Sequence, residues 1–159
     1  MTLYAGIAGN TANSYVTLGE AETYFTTVRI KPAWEDMTNT SKEQSLVESA
    51  REIDSYLRIK GEKYYNYLVG DPTRQAMAFP RDFEDGGSCD YNGDLYIPQE
   101  VKTAQCEQAV YINTRGAQWV KTDDGSPFAQ ISPVVKKILS NYIERFIDKK
   151  GAYPWIRWV

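Results

Sequence analysis

The sequence of 159 residues contains no histidine. Histidine is the commonest general base and a common zinc ligand, so its absence excludes Ser/His and Cys/His nucleophiles and most zinc sites. The chain has two cysteines, Cys89 and Cys106, without a CxxC spacing, which predicts reduced thiols. No run of about 18 apolar residues occurs, and the first residues do not form a basic start followed by an apolar stretch. We therefore expect a soluble, intracellular protein with no membrane span.

An excess of positive charge is also missing. Lysine and arginine number 18 against 21 aspartates and glutamates, which gives a net charge of −3, and the basic residues are scattered. Nucleic-acid-binding proteins usually concentrate basic residues on one surface. The composition therefore argues against nucleic-acid binding, but leaves a local basic patch open.

The rest of the composition is that of an ordinary globular domain. The hydrophobic fraction is 42%, the charged fraction is 25%, and the aromatic fraction of 13% with 12 tyrosines is high. Excess tyrosine favours contact surfaces. The length predicts one domain that is stable without a metal or a disulfide. We expect a flexible arm at 1–13, a helical domain at 14–150 and a C-terminal aromatic arm at 151–159.

Capping signals and apolar periodicity predict a mainly α fold, a small antiparallel bundle of about four helices. Capping boxes formed by Thr17 with Glu20 and by Thr40 with Glu43 begin helices at about 18–28 and 41–59. Proline signals begin two more, at about 98–115 after Ile97-Pro98 and at about 133–150 after Ser132-Pro133. The residues expected to face the core are Ala21, Tyr24, Phe25, Val28, Leu46, Ala50, Ile53, Leu57, Val101, Ala104, Ala109, Ile112, Val135, Ile138, Leu139, Tyr142, Ile143 and Phe146. Those expected on the solvent face of the second helix are Lys42, Glu48, Arg51 and Glu52.

A long insertion at 61–97 interrupts the helical pattern. Asn92-Gly93 predicts a short β-hairpin within it, and an insertion of this length is typical of a working loop. Asp90, Asn92 and Asp94 copy the first half of a calcium loop, but Leu95 and Val101 replace the glycine and the glutamate of the second half. A solvated hairpin tip is therefore the favoured interpretation. We predict no metal, no cofactor, no catalytic residue and no enzymatic activity.

The chain ends in the aromatic segment GAYPWIRWV. Such an end predicts a surface that receives it, because exposed apolar termini are rare. Pro154 favours an extended backbone, as in an added strand or anchor. We predict that the segment binds a partner protein, with the alternative that it folds back on its own domain. The residues proposed for this contact are Tyr153, Trp155, Ile156, Trp158 and Val159.

A second candidate for binding is the segment IKGEKYYNYL, Ile59–Leu68. Its tyrosines could stack on single-stranded bases while Lys60 and Lys63 contact phosphates. Packing of the tyrosines at a core edge or an interface is the alternative, because Glu62 and Asp71 dilute the positive charge.

Four segments in a fixed order resemble the head-tail adaptor family of tailed phages. They are ANSYVTLGEAETYF, EQSLVESAREIDSYL, RQAMAFPR and IPQEVKTAQCEQAVYI, and the resemblance covers roughly residues 12–115. Many members of that family are labelled DnaT-like single-stranded-DNA-binding proteins. The resemblance also implies a structural role for Phe79, Pro80 and Arg81, which would lock the long loop onto the bundle.

The resemblance implies a head completion protein without catalytic residues. Such a subunit docks in a ring of copies of itself, typically dodecameric, between the portal protein and the tail or a tail-completion protein. Genomic DNA would pass through the channel without specific binding. The expected location is the head-tail junction of the virion, with the host cytoplasm during assembly.

Two functions are therefore carried forward. The leading prediction is a structural head-tail adaptor, and the alternative is a single-stranded-DNA-binding module used in phage replication. Binding of oligonucleotides that weakens steeply with salt distinguishes the two.

Overall fold

A computed structural model describes residues 2–7, 9–56, 62–63, 75–82, 95–115 and 131–143. The described chain is mainly helical, as predicted. Its helices are α1 at Leu18–Thr23, α2 at Pro32–Glu35, α3 at Asn39–Tyr56, α4 at Gln99–Arg115 and α5 at Pro133–Ile143. Two short strands, β1 at Glu62–Lys63 and β2 at Arg81–Asp82, pair antiparallel with Glu62 opposite Asp82. The Asn92-Gly93 hairpin lies outside the described residues, and the bundle arrangement stays a prediction.

The predicted capping box at the start of α1 is confirmed. The Glu20 backbone N–H donates to Oγ1 of Thr17 at 3.1 Å, and the Glu20 carboxylate accepts from the Thr17 backbone N–H at 2.8 Å. Val16, just before the cap, is buried in the same cluster as Ala21, as a hydrophobic staple requires. Residues 24–28 continue the helix as predicted, but they form a π-helical turn instead of α-helix, and Val28, expected in the core, is 71% exposed.

Pro32 begins a short helix in the stretch between the first two predicted helices. Proline is well suited to a first helical position, because its missing N–H has no helical partner there. The short helix α2 buries Trp34 against Phe25, with stacked rings whose centroids are 4.6 Å apart. The ammonium of Lys42 lies 5.3 Å from the Trp34 ring, in cation–π geometry.

Helix α3 begins earlier than predicted. Its cap is Thr38, whose hydroxyl accepts from the Ser41 backbone N–H at 3.2 Å and whose carbonyl accepts from the Lys42 N–H at 2.9 Å. The predicted capping box of Thr40 and Glu43 is wrong, because both residues already lie within the helix. A threonine two residues upstream provides the same hydroxyl acceptor.

Two residues predicted on the solvent face of α3 are buried. Lys42 bonds Oε1 of Glu22 at 2.7 Å, and Glu52 accepts from Nε2 of Gln108 at 2.6 Å. The prediction failed because α3 is covered on more than one side, so some of its charged residues find partners inside the protein. The predicted inward residues of α3 that the structure describes, Leu46, Ala50 and Ile53, are buried.

Helix α4 closely follows its predicted bounds, and α5 begins where predicted. The rest of the predicted range of α5, 144–150, lies outside the described residues. The Pro98 carbonyl accepts from the amides of Val101 and Lys102, which places Pro98 just before α4 and not at its first position. The predicted cap of α5 is confirmed, since the Val134 N–H donates to Oγ of Ser132 at 3.2 Å. Helix α4 packs against both α3 and α5.

The buried apolar residues form two clusters that α3 and α4 both enter. The first includes Tyr15, Phe79 and residues of α5, and the second surrounds Phe25 and Trp34. A polar network lies at the centre, where Gln105 of α4 accepts from the Tyr15 N–H at 2.8 Å. The same side chain donates to the Leu46 carbonyl at 2.8 Å. Buried amide groups of this kind stabilise a fold only when they are fully paired.

The segment predicted as a flexible arm contacts the domain. Nδ2 of Asn13 donates to the Thr2 carbonyl, and Oδ1 of Asn13 accepts from the Tyr4 N–H at 2.8 Å. The Ala76 N–H donates to the Gly9 carbonyl at 3.2 Å, which ties the segment to residues 75–82. None of the helices in the described ranges is both long and apolar enough to cross a membrane.

Candidate functional site

A groove of about 560 Å³ lies between the first helical segment and α4. Its walls combine hydroxyl, apolar and charged side chains. The groove extends along α4 from Gln99 to Cys106, about 10 Å at the helical rise of ~1.5 Å per residue. The residues that line it are Val16, Thr17, Gly19, Glu20, Thr23, Tyr24, Thr27, Val28, Gln99, Lys102, Thr103 and Cys106.

One wall of the groove is the π-helical turn at Tyr24–Val28. The Arg29 N–H donates to the Tyr24 carbonyl at 3.1 Å, five residues back, as in a π-helix. The hydroxyl of Thr27 donates to the Thr23 carbonyl at 2.6 Å, and that of Thr26 donates to the Glu22 carbonyl at 2.9 Å. Threonine bonds of this type bend helices, and π-helical turns are frequent at functional sites.

The buried carboxylate of Glu107 fastens this turn to α4. Glu107 is 2% exposed and accepts from the Tyr24 hydroxyl at 2.8 Å. The ammonium of Lys31 lies 2.6 Å from its Oε2, and the guanidinium of Arg29 lies 3.4 Å from its Oε1. Burial, and then the Glu107 carboxylate, raise the pKa of Tyr24 above its usual range. Both ends of the π-helical turn are thus held by one residue of α4.

A second ion pair crosses the groove. Nζ of Lys102 on α4 lies 2.6 Å from Oε1 of Glu20 on α1, and the side chains are 26% and 45% exposed. Oε2 of Glu20 is held by Thr17 in the capping box. Burial opposes ionisation of Glu20, but the hydrogen bonds from Lys102 and Thr17 outweigh it and lower the pKa of Glu20. The Glu20 carboxylate is therefore ionised at neutral pH.

Cys106 lies at the bottom of the groove and is buried. Burial, and then the adjacent Glu107 carboxylate, raise the pKa of the Cys106 thiol to about 12. The thiolate is the reactive form of cysteine, so Cys106 is inert at neutral pH. It therefore serves as a packed apolar side chain and not as a nucleophile.

This burial predicts that native Cys106 resists alkylation. In a Cys89→Ser variant, iodoacetamide at pH 8 should modify Cys106 about a thousandfold more slowly than an unfolded thiol, because the thiolate fraction falls with the pKa. Mass spectrometry with and without guanidinium measures both rates. Equal rates in the two conditions would contradict the buried position of the thiol.

The structure describes only some of the predicted site residues. Phe79 and Pro80 are buried, and their peptide bond is cis. The Pro80 carbonyl accepts from Nε2 of Gln75 at 2.7 Å, and the backbone of Arg81 pairs with Lys63. The predicted calcium loop at 90–94 and the tail residues Tyr153, Trp155, Ile156, Trp158 and Val159 lie outside the described residues. No group of three or more His, Cys, Asp or Glu residues that could hold a metal occurs in the part of the chain that the structure describes.

Lys63, which the sequence suggested as a phosphate contact, has another role. Its ammonium donates to the carbonyls of Gln75 and Ala76, each at 3.0 Å. These bonds hold the segment 75–82, which also pairs with β1. Lys60 and the tyrosines of the same segment lie outside the described residues.

Sequence reasoning missed Lys102 and Glu20 as site residues. Glu20 was assigned to the helix cap and Lys102 to no role at all. The two residues are 82 positions apart, so no local spacing brings them together. A weak signal existed in the threonines at 23, 26 and 27, whose low helix propensity is unusual inside an amphipathic helix.

Comparison with known proteins identifies a family. A family model described as "Putative DnaT-like ssDNA binding protein" matches residues 1–142. Neither a curated protein nor a solved structure matches the chain. The leading prediction of a head-tail adaptor is therefore wrong, since the family description names single-stranded-DNA binding, which was the alternative. The match extends over α1 to α4 and most of α5, so the chain belongs to this DnaT-like family.

Proposed function

We propose that the protein binds single-stranded DNA, with little dependence on base sequence, in the groove between the π-helical turn and α4. The observation that carries the proposal is membership of the DnaT-like family over residues 1–142. The matched region includes every residue that lines the groove. The wider role in phage replication stays a prediction.

Three cations lie in the groove or beside it. The chain has a net charge of −3, so any attraction for phosphates must come from a local cluster of cations. Lys102, Arg29 and Lys31 provide three positive charges near the groove, against the two carboxylates of Glu20 and Glu107. These five residues sum to one positive charge, whereas the net charge of the whole chain is negative.

The remaining groove residues suit a strand that is bound without sequence reading. The hydroxyl of Thr103 accepts from Nε2 of Gln99 at 3.5 Å, which leaves its proton available for a phosphate oxygen. Tyr24 lines the wall, and aromatic rings bind the faces of bases of any sequence. The length of about 10 Å accommodates roughly three nucleotides at the ~3.4 Å spacing of a stacked strand.

Fluorescence anisotropy with a labelled oligothymidine tests the proposal. The affinity should fall between ~50 and ~200 mM salt because the logarithmic slope for single strands is about −0.7 per phosphate. The fall should be about threefold if Lys102 alone contacts a phosphate, and about 20-fold if Arg29 and Lys31 do so as well. A duplex of equal length is the control and should bind more weakly. Absence of binding at 50 mM salt with excess protein would contradict the proposal.

A further inference from the structure

The ion pair of Glu20 and Lys102 is the feature of the groove that bears most directly on an anionic ligand. Among the described residues that line the groove, Lys102 is the one cation and Glu20 the one anion. A phosphate that enters the groove meets a cation whose charge is already balanced at 2.6 Å. It also meets a carboxylate that repels it.

The other two cations near the groove have a structural task. Arg29 and Lys31 both pair with Glu107, which is buried and needs compensating charge. Withdrawing either cation would leave that carboxylate less well compensated inside the protein. Lys102 is not needed in this way, because its partner Glu20 is 45% exposed and water can hydrate the carboxylate when Lys102 moves away.

The two oxygens of Glu20 divide its roles. Oε2 accepts from the backbone N–H and the hydroxyl of Thr17, and Oε1 accepts from Lys102. The capping box therefore holds the carboxylate in place whether or not Lys102 is bound to it. The long, flexible side chain of Lys102 can leave without disturbing the start of α1, since exposed ion pairs contribute little to stability.

From these contacts we propose that the Glu20–Lys102 pair masks the phosphate-binding cation of the groove, and that a phosphate of single-stranded DNA displaces Glu20 from Lys102. This inference rests on the proposed function. Lys102 is the residue that contacts phosphate, and Glu20 is an internal competitor that weakens binding. The free protein thereby presents a neutral pair to other anions.

The substitution Glu20→Gln removes the negative charge of Glu20 while it keeps the capping box. Glutamine retains the side-chain acceptor and suits the same position of a capping box, so the start of α1 should be kept. The charge that competes for Lys102 is removed. We expect the oligothymidine to bind about two- to fivefold more tightly, the range set by the strength of an exposed ion pair. The salt slope should also steepen, by up to about 0.7, because no carboxylate is released to take up a counterion when the phosphate binds Lys102.

Lys102→Gln and the double variant identify the cation. Lys102→Gln should weaken binding about two- to fivefold and make the salt slope shallower. In the Lys102→Gln background, the added Glu20→Gln substitution should give little further gain, because the two residues act on one contact. A full gain in that background would overturn the proposal, since it would show a long-range charge effect.

Matched controls remove the same charges elsewhere. Lys137→Gln on α5 and Glu48→Gln on α3 change residues that do not line the groove, and their affinities should stay within about twofold of the unmodified protein. Circular dichroism melts establish that each variant is folded. If Glu20→Gln fails to fold, the affinity of Lys102→Gln for the oligothymidine is the test. An unchanged affinity in that variant overturns the proposal.

The outcomes distinguish this inference from the proposed function. Binding by the unmodified protein, with Glu20→Gln and Lys102→Gln both unchanged in affinity and slope, overturns the masking pair and leaves DNA binding intact. Absence of binding by the unmodified protein and by Glu20→Gln overturns both.

Discussion

Replacing Phe79 with alanine is expected to lower the free energy of unfolding by about 3 to 5 kcal/mol, the usual cost of removing a buried phenylalanine. The side chain is 1% exposed and contacts the Tyr15 ring edge-to-face, with centroids 6.0 Å apart. It joins the cluster that contains Met77, Ile97 and residues of α5. Urea denaturation followed by circular dichroism measures the change.

A matched control is Tyr96→Ala, which removes an aromatic ring that is 43% exposed. Surface substitutions of this kind usually change stability by less than about 0.5 kcal/mol. If Phe79→Ala lowered the free energy of unfolding no more than Tyr96→Ala, this would contradict the packing described for the segment 75–82. The same comparison tests the loop-locking role that the sequence resemblance implied for Phe79.

Replacing Gln105 with leucine is expected to lower the free energy of unfolding by about 1 to 3 kcal/mol, because it leaves the buried Tyr15 N–H without its hydrogen-bond partner. The amide oxygen of Gln105 accepts from the Tyr15 N–H, and Nε2 donates to Oγ of Ser14 at 2.7 Å and to the Leu46 carbonyl. Leucine fills a similar volume but cannot accept from the Tyr15 N–H, whereas Ser14 and Leu46 each keep another hydrogen bond. The loss therefore comes from the polar network and not from a cavity.

Gln99→Leu is the control for this experiment. It makes the same substitution at an exposed position of α4, where the side chain makes one long bond of 3.5 Å to Thr103. We expect a change of less than about 0.5 kcal/mol in urea denaturation. Equal effects of the two substitutions would mean that the network around Gln105 does not stabilise the fold.

The helices could be predicted where a local signal defines them. Thr17 with Glu20 and Ser132 with Pro133 begin helices in the structure as the sequence indicated. Capping bonds join residues two or three positions apart, so their information is contained in the local sequence. The start of α3 was missed because two threonines, Thr38 and Thr40, are both suitable caps, and only the surrounding structure selects between them.

The interior of α4 could not be predicted from periodicity. Ala104 and Ala109 were expected in the core and are buried, but the polar residues between them are buried as well. An apolar stripe predicts one covered face, whereas α4 has neighbours on several sides. Gln105, Glu107 and Gln108 are paired by groups on other segments, and those partners are distant in the sequence.

The groove lies outside the two segments that the sequence suggested for binding. The sequence directed attention to aromatic segments at 59–68 and 153–159, because tyrosine and tryptophan next to basic residues are typical of contact surfaces. The groove instead combines α1, a π-helical turn and α4, none of which is unusually basic or aromatic. Its ion pairs arise only in the fold, where Lys102 meets Glu20 across the groove and Arg29 and Lys31 meet Glu107 beside it.

Seven consecutive residues of α4, from 104 to 110, are buried, and this affects how its amide protons exchange with solvent. Amide protons exchange with solvent through local or global opening, and a segment with an exposed side can open by itself. The middle of α4 has no such side, since α3, α5 and the π-helical turn cover it. Its amides should therefore exchange last, at a rate that reports the stability of the whole described fold.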